Sequence, residues 1–469
     1  MDSWPRRRSL VVSTLGVALL LTACATALPE LGPADVPRLQ SAVAEAPDDF
    51  DLQTQLGIAL YRSDRFEEAR DVLTAVVESG EAGGAAYLFL GLANESLEDW
   101  TAARQAYSAY LDAGRWDPLK EQIRDRLLLI ARNELRAQAR QALAQESELT
   151  TQPPTPRTVA VFPFRLVSDD ESLEPLQVAL ADMMITDLSI SNAVTVLERT
   201  QIQSLLDEMA LSEAGYTEAA TGARAGRLLR AEHVVQGALT TLGDETLRFD
   251  ADVLNTERAS SAGRISDEDR LEALFDMEKE VVFRVLEVLG AELTPAERQA
   301  INENRAENLL AFLAYGQGLQ ALDRGDYQAA QQFFDQAVQL DPGFGAAGQA
   351  RFEAEGLGDA AGQSPDDLAN NATGETGGVT GVPGTDRYNT DLLRQTAGDV
   401  NPSPSGDLLD QGTTGDGARK QTDERDPQQE AGNGEGPTST RSRLPIRIRR
   451  PGGGSSGSGG VPARPGGGR

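Results

Sequence analysis

The chain has 469 residues, of which 73 are acidic and 43 are lysine or arginine, for a formal net charge of -30. That length exceeds one hydrophobic core and calls for two or three folded units plus unstructured segments. The negative charge repels phosphate backbones, which excludes nucleic acid as a partner of the folded part. The single cysteine, Cys24, and the single histidine, His233, lie far apart, so no intrachain disulfide, Cys/His zinc site or Cys–His nucleophile pair is expected.

Arg6, Arg7 and Arg8 precede a mostly apolar run of 13 residues from Leu10 to Thr22. A spanning helix needs about 20 such residues, so residues 1–23 read as a cleaved secretory signal. Leu21-Thr22-Ala23-Cys24 resembles the lipobox of bacterial lipoproteins, which implies acylation of Cys24. The same resemblance, with Ala25 rather than aspartate next, implies sorting to the outer membrane. Several acyl chains, at about 0.8 kcal/mol per buried CH₂, would make the anchoring effectively permanent. Residues 24–37 then form a tether.

Residues 38–149 repeat themselves. Leu56-Gly57 recurs as Leu90-Gly91, Phe66 as Trp100, Ala69-Arg70 as Ala103-Arg104, Leu73 as Tyr107 and Gly80 as Gly114, always 34 residues on. The period resembles the tetratricopeptide repeat, with small residues at Gly57 and Ala69 for close helix approach and large ones at Phe66 and Leu73 between them. From Pro118 to Glu146, Leu119, Ile123, Leu127, Ile130 and Leu135 give one apolar stripe, expected as a helix that caps the stack. The prolines in residues 150–157 predict a stiff linker.

Residues 158–290 read as a mixed α/β domain. Thr158 to Phe164 suits an interior strand, and a helix from Leu173 to Leu188 follows. A short strand, Val194 to Leu197, leads into a helix holding Ile202, Leu205, Leu206 and Met209. A helix from Thr217 to Arg230 precedes the strand His233 to Leu242. Leu247, Phe249, Ala251 and Val253 alternate as a half-buried strand, and Ala259 to Ile265 is a third. Ser266 with Asp269 suggests a capping box for a last helix from about Asp267 to Leu289, ended by Gly290.

Val159-Ala160-Val161-Phe162-Pro163-Phe164, Leu197-Glu198-Arg199, Glu208, and Gly226 to Gly237 occur in the order seen in CsgG-like curli-assembly lipoproteins. The chain resembles that family over Thr158 to about Leu289. The resemblance implies a fold shared with the TolB amino-terminal domain and with lipoprotein activators of penicillin-binding proteins. His233 stands where an aromatic is commoner and Arg230 where glycine is usual. From the residues themselves, Glu198 and Arg199 are expected to pair or cap where strand becomes helix, Gly237 to allow close packing, and His233 to sit on a strand without a catalytic role.

A further repeat occupies residues 294–355, with Thr294-Pro295 opening its leading helix. Gly318, Ala321, Gly325, Tyr327, Ala330, Phe334, Ala337 and Pro342 match the tetratricopeptide pattern, in a phase that suggests a separate small helical segment. Residues 356–469 lose apolar periodicity and are expected to be disordered. Their end, with Arg441, Arg443, Arg447, Arg449, Arg450, Arg464 and Arg469, could touch anionic envelope polymer or lipid, or fold back.

The expected fold class is thus an α/β mixed sheet with packed helices, CsgG-like and TolB N-terminal-like, plus all-α helical hairpins and a disordered tail. Asp169-Asp170-Glu171 pairs carboxylates, but a chain this acidic does so by chance, and no catalytic, cofactor or metal residue is expected. The function expected is docking: an outer-membrane-anchored, periplasm-facing lipoprotein that binds envelope proteins through its repeats and its CsgG-like domain, in envelope assembly or export of a surface product. Alternatives are an oligomeric secretion channel of the curli type and an activator of a cell-wall synthase. The channel would need about forty extra residues in four crossing strands of about 9 to 11, which the domain lacks. Homo-oligomer formation is left open.

Overall fold

The computed structural model describes residues 31–113, 119–209, 218–243 and 246–373. The leader with Cys24, Gly114 and the basic end lie outside them.

The first helices are α1 (Val36–Glu45), α2 (Phe50–Tyr61), α3 (Phe66–Glu78), α4 (Gly84–Ser96) and α5 (Trp100–Asp112). In α2–α3 and α4–α5 a glycine on the first helix faces a large side chain on the second. A Cβ on Gly57 would lie 2.5 Å from Leu73, and one on Gly91 2.5 Å from Tyr107. The hairpin turns place Asp64 (φ 56°) and Glu98 (φ 57°), 34 positions apart, in the left-handed region. Helix α6 (Leu119–Ala144) follows. One side packs on α5, and the others on the helices Arg199–Glu208 and Gly345–Ala361. A single turn, α7 (Glu146–Leu149), completes this part.

The central domain comprises β1 (Thr155–Val161), β2 (Arg165–Val167), α8 (Leu176–Ser189), β3 (Thr195–Val196), α9 (Arg199–Glu208), α10 (Ala219–Leu228), β4 (Ala231–Leu242), β5 (Thr246–Asn255), β6 (Ser260–Arg270) and α11 (Leu274–Val288). The sheet order is β3-β1-β4-β5-β6, with β2 also beside β4. The β1–β3, β1–β4 and β2–β4 pairs are parallel, and β4 to β6 form an antiparallel meander. Alternation gives the sheet two buried faces. Val161, Val235, Phe249 and Val253 meet α8 and α11, while Ala160, Phe162, Val234 and Leu254 meet α9 and α10. Gly237 is required where β4 pairs with β5, because a Cβ there would strike the carbonyl of Asp250.

The described chain ends with α12 (Pro295–Glu303), α13 (Leu309–Asp323), α14 (Tyr327–Leu340), α15 (Gly345–Ala361) and α16 (Pro365–Thr373). Thr294 and Glu297 form the capping box of α12, with Pro295 in its first turn, as the sequence implied. The α13–α14 hairpin repeats the earlier design, with Gly318 against Phe334 and a left-handed Gly325 (φ 75°) in the turn.

Four expectations need correction. The last helix of the central domain does not open at Ser266. Strand β6 continues to Arg270, because its backbone pairs residue by residue with β5 as far as Arg270↔Thr246 and the Ser266 hydroxyl bonds Asp250 (2.6 Å) instead of a helix terminus. Residues 150–157 are not all linker, since α7 lies against α10 and β1 begins at Thr155. The tail does not begin at 356: α15 runs to Ala361 and α16 follows, with Leu357, Ala360, Leu368 and Ala369 buried. Leu357 and Ala360 continue the buried helical stripe of Ala347, Ala350 and Ala354 into the part whose glycine-rich composition hides it. Nor is the last repeat separate. Its aromatic core is continuous with the sheet's α8–α11 face, and α16 contributes Leu368 and Ala369 to the core of the first repeats.

Candidate docking surfaces and their buried junctions

Three groups of buried charge tie the helical repeats to one another and to the sheet. In the first, Arg126 on α6 is 5% exposed and forms a two-pronged ion pair with Glu95 on α4, with Nε 3.1 Å from Oε2. Its Nη1 also donates to the carbonyls of Ala360 (2.8 Å) and Gln363 (2.6 Å), where α15 ends. Tyr107 Oη donates to the same Glu95 (2.7 Å), and burial raises its pKa well above the usual phenol range. A guanidinium suits this position because its planar donors serve a carboxylate and two carbonyls at once.

The second junction lies between α8, α9 and α13. Arg199 Nη1 donates to both oxygens of Asp323 (2.8 and 2.7 Å), and Nε lies 3.3 Å from Asp182 Oδ1. Tyr315 Oη donates to Asp182 Oδ2 (2.6 Å). Burial opposes the charge on Arg199, but Asp323 and Asp182 outweigh it and its pKa is raised; burial raises that of Asp182. Arg199 thus pairs with Asp323 and Asp182, carboxylates far from it in the sequence. Glu198 holds the N-cap position of α9 without a side-chain cap, and Arg199 bolts the central domain to the last repeat.

The third junction escaped the sequence reading altogether. Lys279 on α11 forms an ion pair with Asp187 on α8, and its Nζ is 2.9 Å from Glu278 Oε2. Asn304, just after α12, donates to Asp187 Oδ1 (2.6 Å). Glu278 is fully buried, and burial, then Asp187, push its pKa up to about 8. The neutral carboxyl leaves one ammonium opposite one carboxylate, the balance a low-dielectric site favours. A signal was present: Glu278 falls in register with Val281, Val282 and Val285 on the buried face of α11.

Other singled-out residues have structural roles. His233 is half-buried on β4, opposite Val159 and Asn255, and burial lowers its pKa. Asp170 caps the turn Glu171–Leu173, accepting from the N–H of Ser172 (3.0 Å). Among the described residues no cluster of His, Cys, Asp or Glu is arranged to hold a metal, and no helix is long and apolar enough to cross a membrane. The cavity bordered by Val161, Arg199 and Ile202 is about 10 Å³, room for about one water. A larger open groove of about 600 Å³ lies between α11 and α12, bordered by Phe283, Leu286 and Leu293.

The family model for the curli production assembly/transport component CsgG matches residues 140–250, from the end of α6 into β5. The model for the tetratricopeptide repeat matches residues 54–118, covering the first two hairpins. The chain thus carries a CsgG domain beside tetratricopeptide repeats, and its fold is a mixed sheet with packed helices joined to helical hairpins. The solved structures include a tetratricopeptide repeat protein from Parabacteroides merdae, 12% identical, which covers 68% of this chain and 91% of its own; the TM-score of 0.19 carries no argument about the fold. No curated protein matches the chain.

Proposed function

We propose that the protein is an outer-membrane lipoprotein, acylated at Cys24 and facing the periplasm, that acts by binding other envelope proteins rather than by catalysis. In this reading it serves envelope assembly or the export of a surface product. The observation that carries it is the packing of a CsgG domain against repeats through the buried junction at Arg199, with Arg126 tying the first repeats to the last helices, which presents two kinds of binding surface on one body. The first hairpins suit the role, since residues 31–113 hold fifteen aspartates and glutamates against five arginines. Docking is favoured over a curli-type channel because β4, β5 and β6 all pair within the core sheet.

Crosslinking in the native envelope, followed by purification and mass spectrometry, tests the proposal. A defined set of envelope proteins crosslinked to α2–α5 or to the central domain is expected; recovery of the protein alone would overturn it. Cys24→Ser should remove the acyl mass and release the protein from the membrane fraction, and retention there would refute the anchor. Stepwise conductance in liposomes would instead establish the channel.

A further inference from the structure

Helix α16 leaves the segment it ends. Phe344, Ala354 and Leu357 of that segment belong to the core shared with the sheet, whereas Leu368 and Ala369 of α16 belong to the core of the first repeats. Gly362, Gln363 and Ser364 alone separate α15 from α16. Arg126 Nη1 pins that connection by donating to the carbonyls of Ala360 and Gln363, so α15 is held in place independently of α16.

Helix α16 packs on α4 and α6 and bonds to the end of α2. These are alternate helices of the first stack, so the chain's own end covers one face of it. Leu368 (1% exposed) and Ala369 (2% exposed) enter that face. Around them the polar contacts are long: Tyr61 Oη donates to Asp366 Oδ1 (3.2 Å), Arg62 Nη2 to the Ala369 carbonyl and to Asn370 Oδ1 (3.4 Å each), and Asn371 Nδ2 to Gln122 Oε1 (3.1 Å). The Arg199 junction, by contrast, is made at 2.7 and 2.8 Å. Shorter bonds lie within α16's own start, where Asp367 accepts from the Ser364 N–H and hydroxyl (2.8 Å each). A helix of nine residues is marginal in isolation, so α16 keeps its form only while docked. The face also distinguishes the two ends of the helix it holds. Tyr61 donates to a first-turn carboxylate, and Arg62 meets a carbonyl toward the C-terminus, where a cation complements the helix dipole.

We propose that α16 is the resident occupant of a docking site on α2, α4 and α6, and that a partner protein binds there by displacing it with a helix of the same kind. That helix carries an acidic first turn, then an adjacent leucine and alanine, then side-chain amides. The tethered α16 competes at an effective concentration on the order of millimolar. The site is therefore closed to weak ligands, and a partner's affinity falls in proportion to the fraction of molecules in which the site is open. This gives the docking function proposed above a site and a control, and rests on it.

The test uses the full chain and a fluorescent peptide of residues 363–373, with the same peptide bearing Leu368→Asp as control. The natural chain should bind the peptide weakly. Leu368→Asp in the chain, which withdraws the resident leucine, should raise the affinity about tenfold or more, and adding Arg62→Gln should lower it again. Ser364→Ala, which uncaps α16 without touching the core of the first repeats, should act in the same direction to a smaller degree. In the natural chain the amides of α16 should exchange hydrogen about tenfold or more faster than those of α4 and α15. Equal protection of α16, α15 and α4 overturns the inference, because α16 is then a fixed cap. Unchanged peptide affinity in both chain variants overturns it too, as does exchange of α16 between copies in a concentration-dependent dimer. Envelope partners that crosslink equally to the natural and Leu368→Asp chains remove this control and leave the docking function standing. A native envelope that yields no crosslinked partner to either chain removes the docking function itself.

Discussion

Gly91 against Tyr107 in the second hairpin and Gly318 against Phe334 in the last are the same contact made twice, yet what surrounds the two differs. The α4–α5 hairpin is joined to α6 by polar contacts, the Glu95–Arg126–Tyr107 knot and the Arg104–Glu134 ion pair (2.7 Å), and belongs to an acid-rich segment. The α13–α14 hairpin lies against the sheet domain: Phe312, Tyr315, Phe334 and Phe344 form a contiguous aromatic cluster, and Gly316 lets α13 approach the backbone of Pro175. One sequence pattern therefore serves as an outward surface in one place and as a strut in the other. The local contacts that define the repeat do not decide which. The partners of its outer faces do.

The largest expected effect separates the strut from the surface. Arg199→Ala leaves Asp323 and Asp182 buried without their cation and should cost about 3–5 kcal/mol, read by chemical denaturation, with α13–α14 losing hydrogen-exchange protection before α2–α3. Simultaneous loss of both hairpins would show that the strut is not distinct. A second effect is confined to the sheet-side junction. Glu278 has a folded pKa of about 8, raised by burial above its ordinary 4.5, so the folded state holds a proton that the unfolded state releases. The resulting stability is complete below about pH 4.5 and is lost as the pH rises through 8. Melting temperature should fall between pH 6 and 9 in the natural protein and stay flatter in Glu278→Gln; equal slopes would remove this role.

Next in size are the packing contacts themselves. Gly91→Ala and Gly318→Ala each drive a methyl into an aromatic ring and should cost about 1–3 kcal/mol. The second should be worse, because Phe334 packs against the Tyr315 ring within the aromatic cluster, whereas no ring packs on Tyr107 among the described residues; equal costs would blunt the comparison. The smallest effect is in the turns. Glu98 takes the left-handed position that Gly325 fills in the last repeat, so Glu98→Gly should gain about 1 kcal/mol or less, seen as a small rise in melting temperature.

The hairpins were legible because a fixed period and small–large pairs are properties of adjacent residues, and 34 positions carried Asp64 and Glu98 to equivalent turns. The order of the central domain was legible for a similar reason: alternation in Leu247 to Val253 and the apolar run at Val159 are local. The end of β6 was not, because Ser266 to Arg270 are polar and only pairing with β5 makes them a strand. The end of α15 and all of α16 were not legible, because beyond residue 356 alanine and glycine carry little apolar signal even where they are buried. The charged junctions were least legible. Arg199 finds Asp323 across 124 positions, and no local pattern announces such a partner.

Helix α16 closes the described chain back onto its beginning: Tyr61 Oη donates to Asp366 Oδ1 (3.2 Å), and Arg62 donates to the carbonyl of Ala369 (3.4 Å), with 305 positions between Tyr61 and Asp366. During synthesis at about 5–20 residues per second, the first hairpins wait on the order of 15 to 60 seconds for this last helix. Throughout that interval Tyr61 lacks the Asp366 partner it has in the finished fold. The order of manufacture thus makes the repeats that appear first among the last to be finished, and gives any holding chaperone a defined window and a defined place to act.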